Sequence, residues 1–125
     1  MWEIIKEDVF DDLRDIKAET GIETLYITGI SMGGGLSVIS YIDINHYELF
    51  QNTIVTTYGA PRVGNKQWAA HFDEITGGRT RRYIIKGDPI VVMPRCLTLL
   101  CTYRQTGIQI VCNEKTDICE ETELD

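Results

Sequence analysis

Ser31 stands between glycines in Gly29-Ile30-Ser31-Met32-Gly33, a G-x-S-x-G spacing continued by Gly34 and Gly35. A serine hydroxyl is a poor nucleophile at its free pKa. Proteins that use one present its Oγ on a strained strand-to-helix turn, where glycines let strand and helix approach closely. Gly29, Gly33 and Gly34 are the candidate elbow glycines. The helix that starts at Met32 points its positive end at the serine, and the Met32 N–H is the candidate oxyanion donor. The implied chemistry is attack on an acyl carbonyl. A glycine-rich turn of this kind can also cradle a phosphate. The lysine-bearing phosphate-loop pattern is absent, however, and no lysine follows the glycines directly. The plainest alternative is a tight turn with a solvated serine. Four glycines among the seven residues from 29 to 35 weigh against it.

Positioning such a serine needs a strand before it and a helix after it, and both are legible. Thr24-Leu25-Tyr26-Ile27-Thr28-Gly29-Ile30 is a β-branched and aromatic run of buried-strand type. Met32 to Ile44 has helical length, with Leu36, Ile39 and Ile42 apolar. Ahead of the strand, Ile5, Val9, Leu13 and Ile16 recur at helical steps among charges, which predicts an amphipathic helix over about 3–19 closed by Gly21. Thr53 to Tyr58 reads as a second strand, 66–75 as a helix ended by Gly77-Gly78, and Arg82 to Ile85 as a third strand stopped by Gly87-Asp88-Pro89. Leu97 to Arg104 and Ile108 to Cys112 read as a hairpin around Thr106-Gly107, followed by an acidic, mobile tail over 113–125. Alternation of helix and strand implies an α/β fold with a mostly parallel sheet, flanking helices and a C-terminal hairpin. Three parallel strands make a thin sheet. The chain is expected either to be part of a larger sheet or to complete itself by self-association.

Four segments, in order and spacing, resemble the class 3 (fungal-type) lipases of the α/β-hydrolase superfamily. Thr28-Gly29-Ile30-Ser31-Met32-Gly33-Gly34 resembles that family's elbow, usually written TGHSLGGA. Thr57-Tyr58-Gly59-Ala60-Pro61-Arg62-Val63-Gly64-Asn65 is similar to its PRVGN segment, and Gly87-Asp88-Pro89-Ile90-Val91-Val92-Met93-Pro94 to its DPVPxLPP stretch. Tyr103-Arg104-Gln105-Thr106-Gly107 is similar to its hairpin YxHxGxE. The resemblance implies a partial α/β-hydrolase domain over 1–125 and a carboxylic-ester hydrolase acting on lipid esters without cofactor or metal. Ser31 is then the nucleophile and Asp88 the triad acid. Geometry supports Asp88 separately, because a residue just after Ile85 lies on the same sheet edge as Ser31. Asp43 and Asp73 belong to helices and face away. The plain reading of Asp88 is a turn residue before proline.

The departures from the pattern bear on mechanism. Ile30 replaces the histidine usual before the nucleophile, and Gln105, Gln109 and Ile110 replace the hairpin's usual residues. The family's catalytic histidine lies downstream of the hairpin, and no histidine follows Gln105 here. His46 ends the elbow helix, roughly 20 Å from Ser31, and His71 lies on the order of 10 Å below the site edge, so both are read as structural. The second reading is therefore a catalytically incomplete pseudo-hydrolase that serves binding or association.

Composition narrows the rest. The chain has 125 residues, 43% hydrophobic and 25% charged, which suits a single small globular domain. Its net charge of −7 argues against nucleic acid as partner. The basic run Arg79, Arg81, Arg82 and Lys86 reads as a solvated strand face. No apolar stretch has the length of a transmembrane segment, and the first residues do not resemble a signal peptide. Cys96, Cys101, Cys112 and Cys119 fit no common zinc spacing. Cys112 and Cys119 bracket a short polar loop that suits a disulfide, but free thiols suit the sequence as well, so secreted and cytoplasmic settings both stay open.

Overall fold

The computed structural model describes residues 1–95 and 102–123. Trp2–Thr20 forms helix α1, Thr24–Ile30 strand β1, Met32–His46 helix α2, Asn52–Tyr58 strand β2 and Gly64–Asn65 a two-residue strand β3. Lys66–Thr76 is helix α3 and Arg81–Ile85 strand β4. After a 3₁₀ turn at Ile90–Val92 come β5 (Tyr103–Arg104), β6 (Ile108–Asn113) and β7 (Ile118–Thr122). The helix ends follow their local chemistry. Gly21 closes α1 in the left-handed conformation, φ 67°, donating to the Lys17 carbonyl. Asn65 caps α3 by accepting the Trp68 N–H, and Gly77 closes it at φ 59°.

The main sheet has the order β1-β2-β4-β6-β7. The first four of these strands are parallel, and β7 pairs antiparallel with β6. This is a partial α/β-hydrolase fold. The hairpin lies elsewhere than the sequence suggests. Ile108–Asn113 pairs parallel with β4, and Tyr103–Arg104 instead pairs antiparallel with Gly64–Asn65 in a separate two-stranded sheet. Residues 96–101, with Cys96, Cys101 and most of the expected first arm, lie outside the described residues. Gly107, at φ 73°, turns the chain inward so that the Ile108 N–H meets the Thr80 carbonyl. The true reversal is at 113–117, where the Asn113 side chain accepts from the Lys115 N–H and Asp117 adopts φ 54°. The segment expected as an acidic tail thus contains β7, bonded to β6 through the Cys112–Cys119 disulfide. Its acidic residues suit an edge strand, where charge discourages further pairing.

Apolar packing sits on one sheet face. Trp2 and Phe10 of α1, Ile44 of α2 and Phe50 form one cluster; Val38 and Tyr41 of α2, Val55 of β2 and Phe72 of α3 form another. Ile27 of β1 packs against both, so the three helices share that face. Alternate residues of β1 project the other way, and Tyr26 and Ile30 are 71% and 74% exposed. The same alternation overturns the reading of the basic run as a solvated face. Arg81 points out, but Arg82 is buried and donates to the Thr106 carbonyl and, at 2.6 Å, to Gln109 Oε1.

Candidate active site

Ser31 lies between the last residue of β1 and the first of α2, at φ 53° and ψ −125°. A positive φ in a residue with a Cβ is a strained conformation that costs about 1–3 kcal/mol and persists only where its surroundings enforce it. Here the enforcement is visible. The Ser31 N–H donates to the Tyr58 carbonyl at 2.8 Å, and its own carbonyl accepts from Gly34 and Gly35 N–H at 3.0 and 3.3 Å. A Cβ on Gly29 would lie 2.2 Å from the Gly33 carbonyl oxygen, and one on Gly34 would lie 2.7 Å from the Ala60 Cβ. Both positions therefore require glycine for close approach. Gly33 differs, because a Cβ there would meet nothing within 4 Å. Gly33 contributes its carbonyl to the contact with Gly29, not the absence of a side chain. Met32 is the first residue of α2, so its N–H belongs to the turn whose amides lack intrahelical acceptors.

Asp88 follows β4 on the same edge of the sheet. Its N–H donates to the Ile85 carbonyl at 3.1 Å, and its Oδ1 accepts from the Ile90 N–H at 2.8 Å. Its Oδ2 lies 3.1 Å from where a Cβ on Gly59 would be, so the half-buried carboxylate rests against that glycine. Gly59 directly follows Tyr58, the residue that holds the Ser31 N–H. The register puts Ile30, Tyr58 and Tyr83 side by side, and Ser31 and Asp88 thus emerge one strand to either side of the same residue pair, Tyr58-Gly59.

The other titratable candidates are engaged elsewhere. Asp43 accepts from Trp2 Nε1 at 2.6 Å, and Asp73 accepts from the Gly107 N–H at 2.7 Å. Burial raises the Asp73 pKa from its ordinary value, against the opposing pull of the Gly107 N–H and Arg82. His46 is exposed at the far end of α2, where it stacks edge-on against Tyr47. His71 is exposed on α3. Neither is brought to Ser31. Among the described residues no group of three or more His, Cys, Asp or Glu side chains is arranged to hold a metal ion.

Two residues bind the site's loops without having been singled out for it. Gln105 donates from Nε2 to the Ala60 and Val91 carbonyls, and the Arg62 N–H donates to the Met93 carbonyl. An open groove of about 960 Å³ runs from Asp88 past Arg62, Arg95 and Gln105 over Ile84 and Val111. Ser31 stays outside it, on the exposed edge.

Comparison with known proteins matches residues 1–98 to the family Lipase (class 3). The secreted mono- and diacylglycerol lipase 2 of Gibberella zeae is 28% identical over 102 residues, which cover 74% of this chain and 25% of that protein. Among solved structures, the lipase from Rhizopus microsporus var. chinensis superposes with a TM-score of 0.82 at 22% identity, covering 99% of this chain and 44% of that one. A triacylglycerol lipase whose catalytic centre is a serine protease triad superposes with a TM-score of 0.82 at 18% identity, over 97% of this chain and 46% of that one. The chain thus spans a quarter to less than half of the proteins it is similar to.

Proposed function

Because this chain belongs to the class 3 lipase family, we propose that it carries the nucleophile and acid of a carboxylic-ester hydrolase acting on lipid esters. In this reading the Ser31 Oγ attacks the acyl carbonyl while its proton passes to an imidazole. The Met32 N–H stabilises the oxyanion, and Asp88 holds the imidazole by its other N–H and stabilises the imidazolium that forms. The alcohol leaves with the proton from the imidazolium, and water then releases the acid from the acyl-serine. The imidazole is assigned to neither His46 nor His71 and is taken to be supplied from elsewhere. Spacing suits this arrangement. Ser31 follows β1 and Asp88 follows β4, with β2 between them, so their strands are about 10 Å apart and their side chains leave room for one ring.

The observation that carries the reading is the Ser31 backbone at φ 53°, held by the Tyr58 carbonyl one residue from the Gly59 that Asp88 rests against. Strain maintained in a residue that could have been glycine is a mark of use. The apolar surroundings fit an acyl chain: Ile30, Met32, Tyr58 and Ile90 are all exposed on this edge. Relatives described as mono- and diacylglycerol lipases support glycerides as the substrate class. Among the described residues no helix is long and apolar enough to cross a membrane.

The test supplies the base. With free imidazole present, the chain should hydrolyse p-nitrophenyl butyrate faster than imidazole does alone and accept a fluorophosphonate on Ser31, and Ser31→Ala should return hydrolysis to the imidazole background and abolish labelling. Turnover and labelling no higher than in Ser31→Ala would leave a hydrolase fold without its chemistry. The second reading, a pseudo-hydrolase that binds or associates, would then stand, favoured by the placement of both histidines away from Ser31.

A further inference from the structure

Gln105 is half-buried, and its Nε2 lies 3.2 Å from the Ala60 oxygen and 2.6 Å from the Val91 oxygen. Both neighbours are acceptors only, so the amide must face them with its NH2 group. The two carbonyls belong to different loops. Ala60 is buried against the first turn of α2, on the other side of the gap that Gly34 leaves. Val91 sits in the 3₁₀ turn that opens with Ile90, whose N–H bonds the Asp88 carboxylate. One NH2 group therefore bridges the loop behind the serine and the loop carrying the acid.

Gln105 is itself fixed from both sides. Tyr103 and Arg104 are paired with Asn65 and Gly64, and Gly107 is held by the Asp73 carboxylate. A second tie, from the Arg62 N–H to the Met93 carbonyl at 2.7 Å, joins the same two loops farther along. Losing the Gln105 bridge would then loosen the spacing without releasing the loops.

We propose that Gln105 is a positioning residue, its NH2 group setting the separation of Ser31 and Asp88 by cross-linking the Ala60 and Val91 carbonyls; the inference rests on the ester-hydrolase reading above. The residue type suits the task. Glutamine offers two N–H donors at every pH. Neutral histidine offers one, and two only as imidazolium; glutamate offers none and sets a negative charge against both carbonyls.

The experiment follows the Ser31-dependent, imidazole-supported hydrolysis of p-nitrophenyl butyrate over a range of substrate concentrations. Gln105→Glu is expected to lower kcat about tenfold or more with KM within about twofold, since misplacement of an acid acts on the transition state. Gln105→His should fall between the two, and its rate relative to wild type should rise as pH drops through roughly 6.5 and the second donor appears. In an Asp88→Asn background Gln105→Glu should add less than about a twofold loss, because positioning works through Asp88. An equal fractional loss in both backgrounds, or an unchanged kcat in folded Gln105→Glu, overturns the proposal. If Gln105→Glu does not fold, the pH response of Gln105→His decides, and a flat ratio counts against the bridge. An Asp88→Asn rate equal to wild type overturns the hydrolase reading and this inference with it. A sensitive Asp88 beside an insensitive Gln105 overturns the inference alone.

Discussion

Ser31 and Asp88 stand on parts of the molecule that are held together differently. Among the described residues, every buried hydrophobic side chain but Val91 lies at or before Phe72. There α1, α2 and α3 lock β1 and β2 by packing, and the elbow is strained against a rigid wall. Past residue 80 the buried side chains among the described residues are mostly polar: Arg82, Thr106 and Gln109. That half is held by directed bonds, from Arg82 to Gln109, from Gln109 to Thr122, from Gly107 to Asp73, and by the Cys112–Cys119 disulfide. Packing of the helices behind β1 and β2 fixes the backbone from which the exposed serine projects. Hydrogen bonds set the surroundings of Asp88 by direction and count, so single-atom changes there should alter geometry before they alter the fold.

The largest effect is expected where the packing is deepest. Phe72 is fully buried, with Tyr41 edge-on at 5.4 Å and Trp68 stacked at 5.6 Å. Phe72→Ala should cost about 3–5 kcal/mol, measured by urea unfolding, and should release the elbow half as a unit. A loss no larger than that of a surface change would break the contrast between the halves. Within the elbow, Gly29→Ala should cost about 3 kcal/mol, since its Cβ would collide with the Gly33 backbone. Gly33→Ala should be neutral or gain up to about 0.5 kcal/mol from helix propensity, because its Cβ enters open space. Equal losses at the two positions would show that the motif's symmetry, and not the contact, governs the turn.

On the polar side the effects are smaller. The disulfide closes a loop with a sequence separation of seven, which in the chain-entropy model stabilises by about 2 kcal/mol. Cys112→Ser with Cys119→Ser should lower stability by that amount and loosen β7 first. Hydrogen exchange should report faster opening at 118–122 while β1 and β2 stay protected. Uniform loss of protection across the sheet would mean that the halves are not independent.

How much of this was legible follows the same division. The strand–serine–helix turn could be read because its residues are contiguous, and the place of Asp88 because parallel strands deliver their ends to one edge. α1 and α3 could be read from apolar spacing and from Gly21, Asn65 and Gly77. The polar half could not be read locally. Thr106-Gly107 has the composition of a hairpin turn, yet Gly107 turns the chain into a parallel strand because Asp73, 34 residues earlier, captures its N–H. Arg82 looked solvated because nothing near it in sequence announces Gln109 and Thr106 as partners. Gln105 looked like a mere departure from a family pattern, since its acceptors are 45 and 14 residues away.

The smallest predicted effect tests whether the polar half also responds to pH. Burial raises the Asp73 pKa, so the folded chain binds that proton more tightly than the unfolded chain does. Stability from this group is therefore greatest at low pH and declines as pH rises from the ordinary carboxylate range through the raised value. The net penalty for the charged form is small, since the Gly107 N–H and Arg82 oppose burial and the site is partly solvated. Asp73→Asn keeps an oxygen for the Gly107 N–H but cannot ionise. The thermal midpoints of the two proteins, followed against pH, should separate slightly in favour of the variant above that window and draw together below it. If the wild type instead gained on the variant with rising pH, attraction to Arg82 would outweigh burial. Asp73 would then belong to the polar half as an ion partner, and not as a buried acceptor for the turn that presents Gln105.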